Sequence, residues 1–246
     1  MRKLIAYILT VLYYFFFGLF LVIFHPIQWI SLKFGGYNVH KKSVDYLNFF
    51  LVSCLYILGT KIKFNNKYQL PENKPLIIVS NHQSMNDIPP YIWFLRKYHP
   101  KFVSKKELGK GIPSISFNLK HGGSVLIDRK DSKQALNAII NFGKYIEKHN
   151  YSAVIFPEGT RSRTGEPKRF SENGLKMLVE NAPSSYIVPI TVNNSWKLLK
   201  YGGFPMEIGV NLTFDVHEPI KANSLPFDEL FSKVETEIKS KVIVNS

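Results

Sequence analysis

The stretch LIIVSNHQSMND, Leu76–Asp87, decides the reading of this chain. It opens with an apolar, β-branched run of strand length, and a polar loop follows at once. The loop places His82 and Asp87 five residues apart. A second pair with the same spacing, His40 and Asp45, occurs in HKKSVD. Spacing alone does not make an acid–base pair, which needs reach and orientation as well as residue type. The surroundings of each pair must separate them.

Downstream of about Asn66, short apolar runs alternate with helical patterns. Candidate strands are Leu76–Ser80, Lys101–Ser104, Ser124–Asp128, Ser152–Phe156, Tyr186–Val192 and Gly209–Asp215. This texture predicts an α/β fold, a mixed and largely parallel sheet flanked by helices. Pro189 inside the fifth run predicts an edge strand or a bulge. The clearest helix spans Ser132–His149. Its apolar stripe is Ala135, Ile139, Phe142 and Ile146, and Asp131 with Gln134 resembles a capping box. A last helix starts near Pro226 with Ser224 as its N-cap, and carries Leu230, Val234, Ile238 and Val242 on one face.

The N-terminus has a different character. Leu4–Phe24 is 21 residues without a charge, long enough to cross a bilayer core as a helix. A signal peptide would have a shorter apolar region and a small-residue cleavage site, which HPIQWISLKF does not offer. A second apolar stretch, Tyr46–Gly59, is short for a span and fits a re-entrant, interfacial or buried helix. Lysine and arginine flank both segments on every side, so the positive-inside rule gives no asymmetry. Either both segments dip into one leaflet, or one spans with a short partner. The expected organisation is a membrane-embedded two-helix hairpin over residues 1–65 and an α/β domain over 66–246. His40 and Asp45 fall in the hairpin's connector, with no strand before them, and read as solvated linker residues.

The 246 residues carry a net charge of +14, which attracts polyanions. Nucleic acid is the weaker reading, because no zinc-finger spacing, basic zipper or ribonucleoprotein motif is present; the apolar N-terminus directs the charge towards lipid. The single cysteine, Cys54, excludes an intrachain disulfide and a multi-cysteine metal site, and its apolar setting predicts a buried thiol.

The run SAVIF ends and PEGTRSR begins, just as LIIVS ends and NHQSMND begins. In open α/β sheets ligands gather beyond the carboxyl ends of the strands, so parallel strands would bring both loops to one edge. This distinguishes His82 from His40. The second loop has the chemistry of an anion site. Gly159 admits close backbone approach, Arg161 offers a planar fork of donors, and Arg163, Lys168 and Arg169 extend the positive field. Glu158 either orients Arg161 or accepts a ligand hydroxyl.

These motifs resemble, in order, those of the 1-acylglycerol-3-phosphate (lysophosphatidic acid) acyltransferase family, within the glycerolipid acyltransferases. NHQSMND is similar to the first family motif, KKELGKGIPSIS with GGSVLIDR to the second, FPEGTRSR to the third, and IVPITV, with Pro189 at its centre, to the fourth. The likeness runs from about Asn81 to Val192. It implies that His82 is the general base on an acceptor hydroxyl, and that Asp87 holds the imidazole tautomer and stabilises its cation. It implies that Glu158, Gly159, Thr160 and Arg161 bind the glycerol-phosphate part of the acceptor, with Lys105 reaching the same phosphate. Arg129 and Pro189 are weaker candidates. Ser84 as a nucleophile is weaker still, since serine is common at that motif position and direct attack needs no acyl-enzyme.

The resemblance implies phospholipid biosynthesis. Acyl-coenzyme A or acyl carrier protein would serve as co-substrate, lysophosphatidic acid as acceptor and anionic membrane lipids as partners, with no metal and no further cofactor. It places the catalytic domain on the cytoplasmic face of the inner (plasma) membrane. Ser116 stands where many members carry glycine, which leaves the acceptor and chain preference open. Another lysophospholipid or an amino-acid-derived lyso-lipid is the alternative acceptor. A membrane hydrolase using His82 to activate water is a different class, disfavoured by the missing metal-ligand cluster and nucleophile elbow. A non-catalytic adaptor would leave both polar loops without a task.

Overall fold

The computed structural model describes residues 1–244. Its elements are α1 (Arg2–Ile57), β1 (Lys61–Asn65), β2 (Leu76–Ser80), α2 (Ile88–Phe94), β3 (Pro100–Lys105), α3 (Ile115–His121) and β4 (Val125–Ile127). They continue with α4 (Ser132–His149), β5 (Ser152–Ile155), α5 (Glu172–Asn181), β6 (Tyr186–Asn193), β7 (Asn211–Val216), β8 (Ile220–Lys221) and α6 (Phe227–Ser240). Among the described residues the strands form one mixed sheet of order β1-β7-β6-β2-β5-β3-β4, with β8 also paired to β6. Strands β2 to β6 run parallel to one another, whereas β7 and β8 run antiparallel to β6.

Every residue of β2 is buried, as a central strand covered on both faces requires. Leu76 and Ile78 point into a core shared with Cys54 and Leu55 of α1 and Tyr91 of α2. Ile77 and Val79 point to the other face, where Ile139, Phe142 and Ile146 of α4, Leu175 of α5 and Val234 of α6 cover them. The stripe on α4 is thus core packing, and Cys54 is a buried thiol.

The N-terminal hairpin is one helical run broken at Gly36, whose φ of 65° and ψ of −164° only glycine adopts readily. The two limbs fold back on each other: Leu21 and Phe24 pack on Leu47 and Leu51, and Phe20 stacks on Phe50 at 4.6 Å. The bend lies further along than the first apolar run suggests, since Pro26 is accommodated inside the helix. An 18-residue window of α1 has a mean hydropathy of 2.3, long and apolar enough to cross a membrane, and only 22% of it is buried. Ile8, Phe15, Val22 and Ile30 are among its exposed apolar side chains.

Several expectations are corrected. His40 and Asp45 are not solvated linker residues. They lie inside α1, His40 fully buried and Asp45 paired at 2.6 Å with Lys41 one turn away. Pro189 is not at an edge, because β6 lies between β7 and β2, but the bulge alternative holds: residues 188–189 of β6 face residues 217–219 of the partner, and the register slips by one between β8 and β7. It pairs with Val79 in parallel, and on its other side it falls between two short antiparallel partners, β8 ending at Ile187 and β7 starting at Ile190. The missing N–H therefore breaks no ladder, and the Pro189 carbonyl accepts from His217 N at 3.0 Å. The sheet begins at β1, upstream of Asn66, with β1 parallel to β7. The last helix starts at Phe227 behind Pro226; Ser224 donates back to the Lys221 carbonyl instead of capping, and Val242 lies beyond the helix. At α4, Asp131 caps the Gln134 amide at 2.9 Å, but the Gln134 side chain turns to Asp128 N, so the box is half made.

Candidate active site

The carboxyl ends of β2, β3, β4 and β5 all face one edge of the sheet, since these strands are parallel. The polar loops leave from that edge. The one after β2 is held on both sides. Asn81 donates to the Val192 carbonyl at 2.8 Å and accepts from Val192 N at 2.7 Å, which fastens the loop's start to β6. Gln83 accepts from Ser195 N at 3.0 Å.

A short turn over Met85–Asp87 then closes the loop. Ser84 caps it: its hydroxyl accepts from Asn86 N at 3.1 Å, and Asp87 reaches back to the Ser84 amide at 2.9 Å. The turn carries Asp87 towards His82. Asp87 Oδ2 lies 2.8 Å from His82 Nδ1 and also accepts from Gln83 N at 2.8 Å. Asp87 is fully buried, while 17% of the His82 side chain is exposed. A carboxylate can only accept, so Nδ1 carries the proton and Nε2 keeps a free lone pair. The Phe156 ring stacks on the imidazole at 4.1 Å and 17°, which fixes the ring plane.

The loop after β5 is bound to the first. Glu158 Oε1 accepts from His82 N at 2.8 Å and Oε2 from Lys168 N at 2.9 Å. The His82 carbonyl accepts from Ser162 N at 2.8 Å. Glu158 is thus a clamp between loops, and it makes no pair with Arg161. Burial pushes its carboxyl up from the ordinary 4.5, against the opposing hydrogen bonds from Lys168 and His82.

Gly159 takes a φ of 64°, and nothing lies within 4 Å of where its Cβ would sit. Arg129, just beyond β4, donates to the Gly159 carbonyl. Thr160 and Arg161 are exposed, and Arg161 has no ion-pair partner among the described residues. Lys105 ends β3 and is exposed on the same edge.

The structure therefore brings His82, Asp87, Glu158, Gly159, Thr160, Arg161, Lys105 and Arg129 to one edge. Ser84 is buried and engaged as a cap, and Pro189 is a residue of the sheet interior. Among the described residues, no three metal-binding side chains are grouped. Sequence reading missed the supports: Asn81, Gln83, Asn86, Phe156 and, from α1, Tyr13, whose hydroxyl donates to the Asn86 side chain. Only Asn81 carried a signal, a polar amide just past a strand that is apolar up to Ser80.

A family model described as Acyltransferase matches residues 61–193. A 1-acyl-sn-glycerol-3-phosphate acyltransferase of Helicobacter pylori is 37% identical over 134 residues, 53% of each chain. The human 1-acyl-sn-glycerol-3-phosphate acyltransferase beta is 28% identical over 149 residues, 61% of this chain and 52% of that one. A protein of the same name from Borreliella burgdorferi is 27% identical over 192 residues, 74% and 75% of the two chains. The match thus spans about half the length of the Helicobacter and human relatives. Among solved structures, the Thermotoga maritima 1-acyl-sn-glycerophosphate (LPA) acyltransferase PlsC superposes with a TM-score of 0.81 at 23% identity, over 98% of this chain and 95% of that one. At that identity the likeness speaks for the fold.

Proposed function

The chain belongs to the acyltransferase family, and on that premise we propose that it moves a fatty acyl group from a thioester to the sn-2 hydroxyl of lysophosphatidic acid. The printed names of its relatives favour this acceptor. The observation that carries the chemistry is the His82 Nδ1–Asp87 Oδ2 contact of 2.8 Å, with Nε2 left open.

The acceptor hydroxyl gives its proton to His82 Nε2 as its oxygen attacks the thioester carbonyl. Asp87 stabilises the imidazolium that results. The tetrahedral intermediate collapses, the C–S bond breaks, and the leaving sulfur takes the proton from Nε2. An ester and a free thiol are the products, and His82 returns to its starting state. Arg161, with Lys105 beside the same edge, binds the acceptor's phosphate. Glu158 and Arg129 hold the two loops so that phosphate and base keep a fixed separation.

The exposed apolar flank of α1 seats the sheet's working edge at a membrane, where a lysophospholipid resides. The donor is acyl-coenzyme A or acyl carrier protein, and the working side is cytoplasmic. The test is thiol release by detergent-solubilised protein given acyl-coenzyme A and lysophosphatidic acid. Release that requires both substrates and His82, with phosphatidic acid as the lipid product, is expected. Near-normal turnover by a folded His82→Ala protein, or fatty acid released without an acceptor, overturns the reading.

A further inference from the structure

The second limb of α1 packs at the amino ends of β3 and β4, opposite the motif loops. There His40, Lys41 and Asp45 of α1, His99 and Lys101 at the start of β3, and Ser124 just before β4 line a cavity of about 10 Å³. That is room for one body the size of a water. Lys105 and Arg129 stand at the carboxyl ends of the same two parallel strands. The four residues from Lys101 to Lys105 put about 13 Å between this cavity and the working edge. The cavity is therefore a place apart from the dyad and its loops.

Its lining holds unused donors. His40 is 0% exposed, and neither ring nitrogen has a hydrogen-bond partner among the described residues. A neutral imidazole carries one N–H, and with neither nitrogen engaged either one can present it. The Ser124 hydroxyl accepts from Phe102 N at 3.1 Å, and its own proton has no acceptor among the described residues. Buried Lys101 turns its ammonium to the Tyr37 and Tyr151 rings, and has no carboxylate or hydrogen-bond partner among the described residues. The neighbouring groups are committed. Lys41 Nζ donates to Asp45 Oδ2 at 2.6 Å and to the Arg96 carbonyl at 2.5 Å, and His99 Nδ1 lies 2.9 Å from the Tyr37 hydroxyl. Lys41 and Asp45 offset each other, so protonated Lys101 leaves the cavity one positive charge in excess.

A buried charge is costly unless it is paired. A water would serve the donors and leave the charge; an anion serves both, and the volume admits only a monatomic one. We propose that this cavity is a halide site, in which one chloride ion accepts from Lys101, His40 and Ser124 and ties the second limb of α1 to the amino ends of β3 and β4. The site stands independently of the proposed reaction.

Two measurements on the full chain in detergent test it. In crystals grown with sodium bromide, the anomalous signal of bromine should give a peak between Lys101 Nζ, the His40 ring and Ser124 Oγ. A cavity filled by water gives no peak and overturns the proposal. Thermal unfolding is then followed on the acid side of neutrality, while sodium chloride replaces sodium gluconate at constant ionic strength. Under that condition Lys101, its pKa lowered to about 7 above all by burial, keeps its proton. Wild type is expected to gain about 3 °C or more once chloride stands about tenfold above its dissociation constant. Lys144→Met, which removes a charge from the exposed side of α4, should gain as much. Lys101→Met should not respond; the slope with chloride is the readout, not the midpoint itself. Equal slopes in the three proteins overturn the site, for chloride then acts on the surface alone.

Discussion

Tyr13 donates its hydroxyl to Asn86 Oδ1 at 2.8 Å, and so the N-terminal helix holds the loop on which His82 and Asp87 meet. Both residues are buried, at 1% and 2% exposure. Asn86 in turn donates to the Ser84 hydroxyl, the cap of the turn that presents Asp87. Thr10 accepts from Met206 N at 2.9 Å and Tyr14 donates to the Gly203 carbonyl at 2.9 Å, so this limb is fixed to the domain along one face. The hairpin is a structural member of the site and not a tether.

Tyr13→Phe leaves Asn86 Oδ1 buried without its donor, which costs about 1–3 kcal/mol. The midpoint of thermal unfolding in detergent is expected to fall. Turnover is expected to fall by about tenfold, with little change in KM for the acceptor, because in the proposed mechanism the damage reaches the orientation of His82 and not the Arg161 loop. A Tyr13→Phe protein with wild-type kcat would show that the contact does not position the dyad.

Arg161→Ala is expected to behave in the opposite way. The side chain is exposed and pairs with nothing among the described residues, so the unfolding midpoint should hold. KM for lysophosphatidic acid should rise by about ten- to a hundredfold, the loss of one charge-assisted phosphate contact. Arg129→Ala, which removes the donor to the Gly159 carbonyl, should lower stability as well as affinity. Steady-state kinetics beside a thermal scan separates the two; an unchanged KM in Arg161→Ala would move the acceptor phosphate elsewhere.

Glu158 makes a prediction about pH. Burial raises its folded pKa above 4.5, so just above that pH the folded chain binds the proton more than the unfolded chain does. Its contribution is therefore greatest in acid and is lost as pH rises through the folded value. Glu158→Gln cannot titrate, and its amide also presents a donor to one of two backbone N–H groups. The variant should be less stable at acid pH, and the gap to wild type should narrow as pH rises through that window. A gap that is constant with pH would contradict the raised pKa.

The α/β class and the parallel heart of the sheet were legible because Leu76–Ser80, Ser152–Ile155 and Tyr186–Asn193 are apolar runs bounded by polar loops. The dyad was legible because its loop follows such a run directly. β1 was not, since KIKFN alternates exposed lysines with half-buried side chains and resembles a charged linker. β8 is only two residues long. α2 carries Pro89 and Pro90 just inside its start at Ile88, residues that punctuate a sequence while serving well in a helix's first turn. His40 and Asp45 misled because charge and polarity suggested solvent, whereas Asp45 gains Lys41 one turn away and the helix carries His40 inward. The contact between Tyr13 and Asn86 joins residues 73 apart, and no local pattern encodes it.

Lys101 is 6% exposed at the start of β3, with its ammonium 4.9 Å from the Tyr37 ring and 5.5 Å from that of Tyr151. Burial above all, with Lys41 nearby, lowers its pKa from 10.5 to about 7, and Asp45 opposes the shift. Between those values the unfolded chain holds the proton and the folded chain releases it, so stability rises with pH across the window. Lys101→Met keeps the stem's volume without the charge. The variant should unfold at a higher temperature than wild type near neutral pH, and the gap should close as pH approaches 10.5. A gap that does not change with pH would mean that Lys101 keeps its proton in the fold.

Gly36 tests how the hairpin is made. Its φ of 65° and ψ of −164° lie in a region that side chains exclude, so Gly36→Ala should cost about 1–3 kcal/mol. Gly18→Ala is the matched control. That glycine sits inside a regular helical limb with nothing within 4 Å of the added Cβ, and alanine there should be neutral or slightly stabilising. Strain at Gly36 acts on the reversal itself, which brings Phe20 onto Phe50 and Leu21 onto Leu47. The Gly36→Ala protein is therefore expected to unfold at a lower temperature and to lose turnover through the limb that carries Tyr13. Equal stability of the two alanine variants would mean that the limbs close by side-chain packing alone and that the glycine is incidental to the bend.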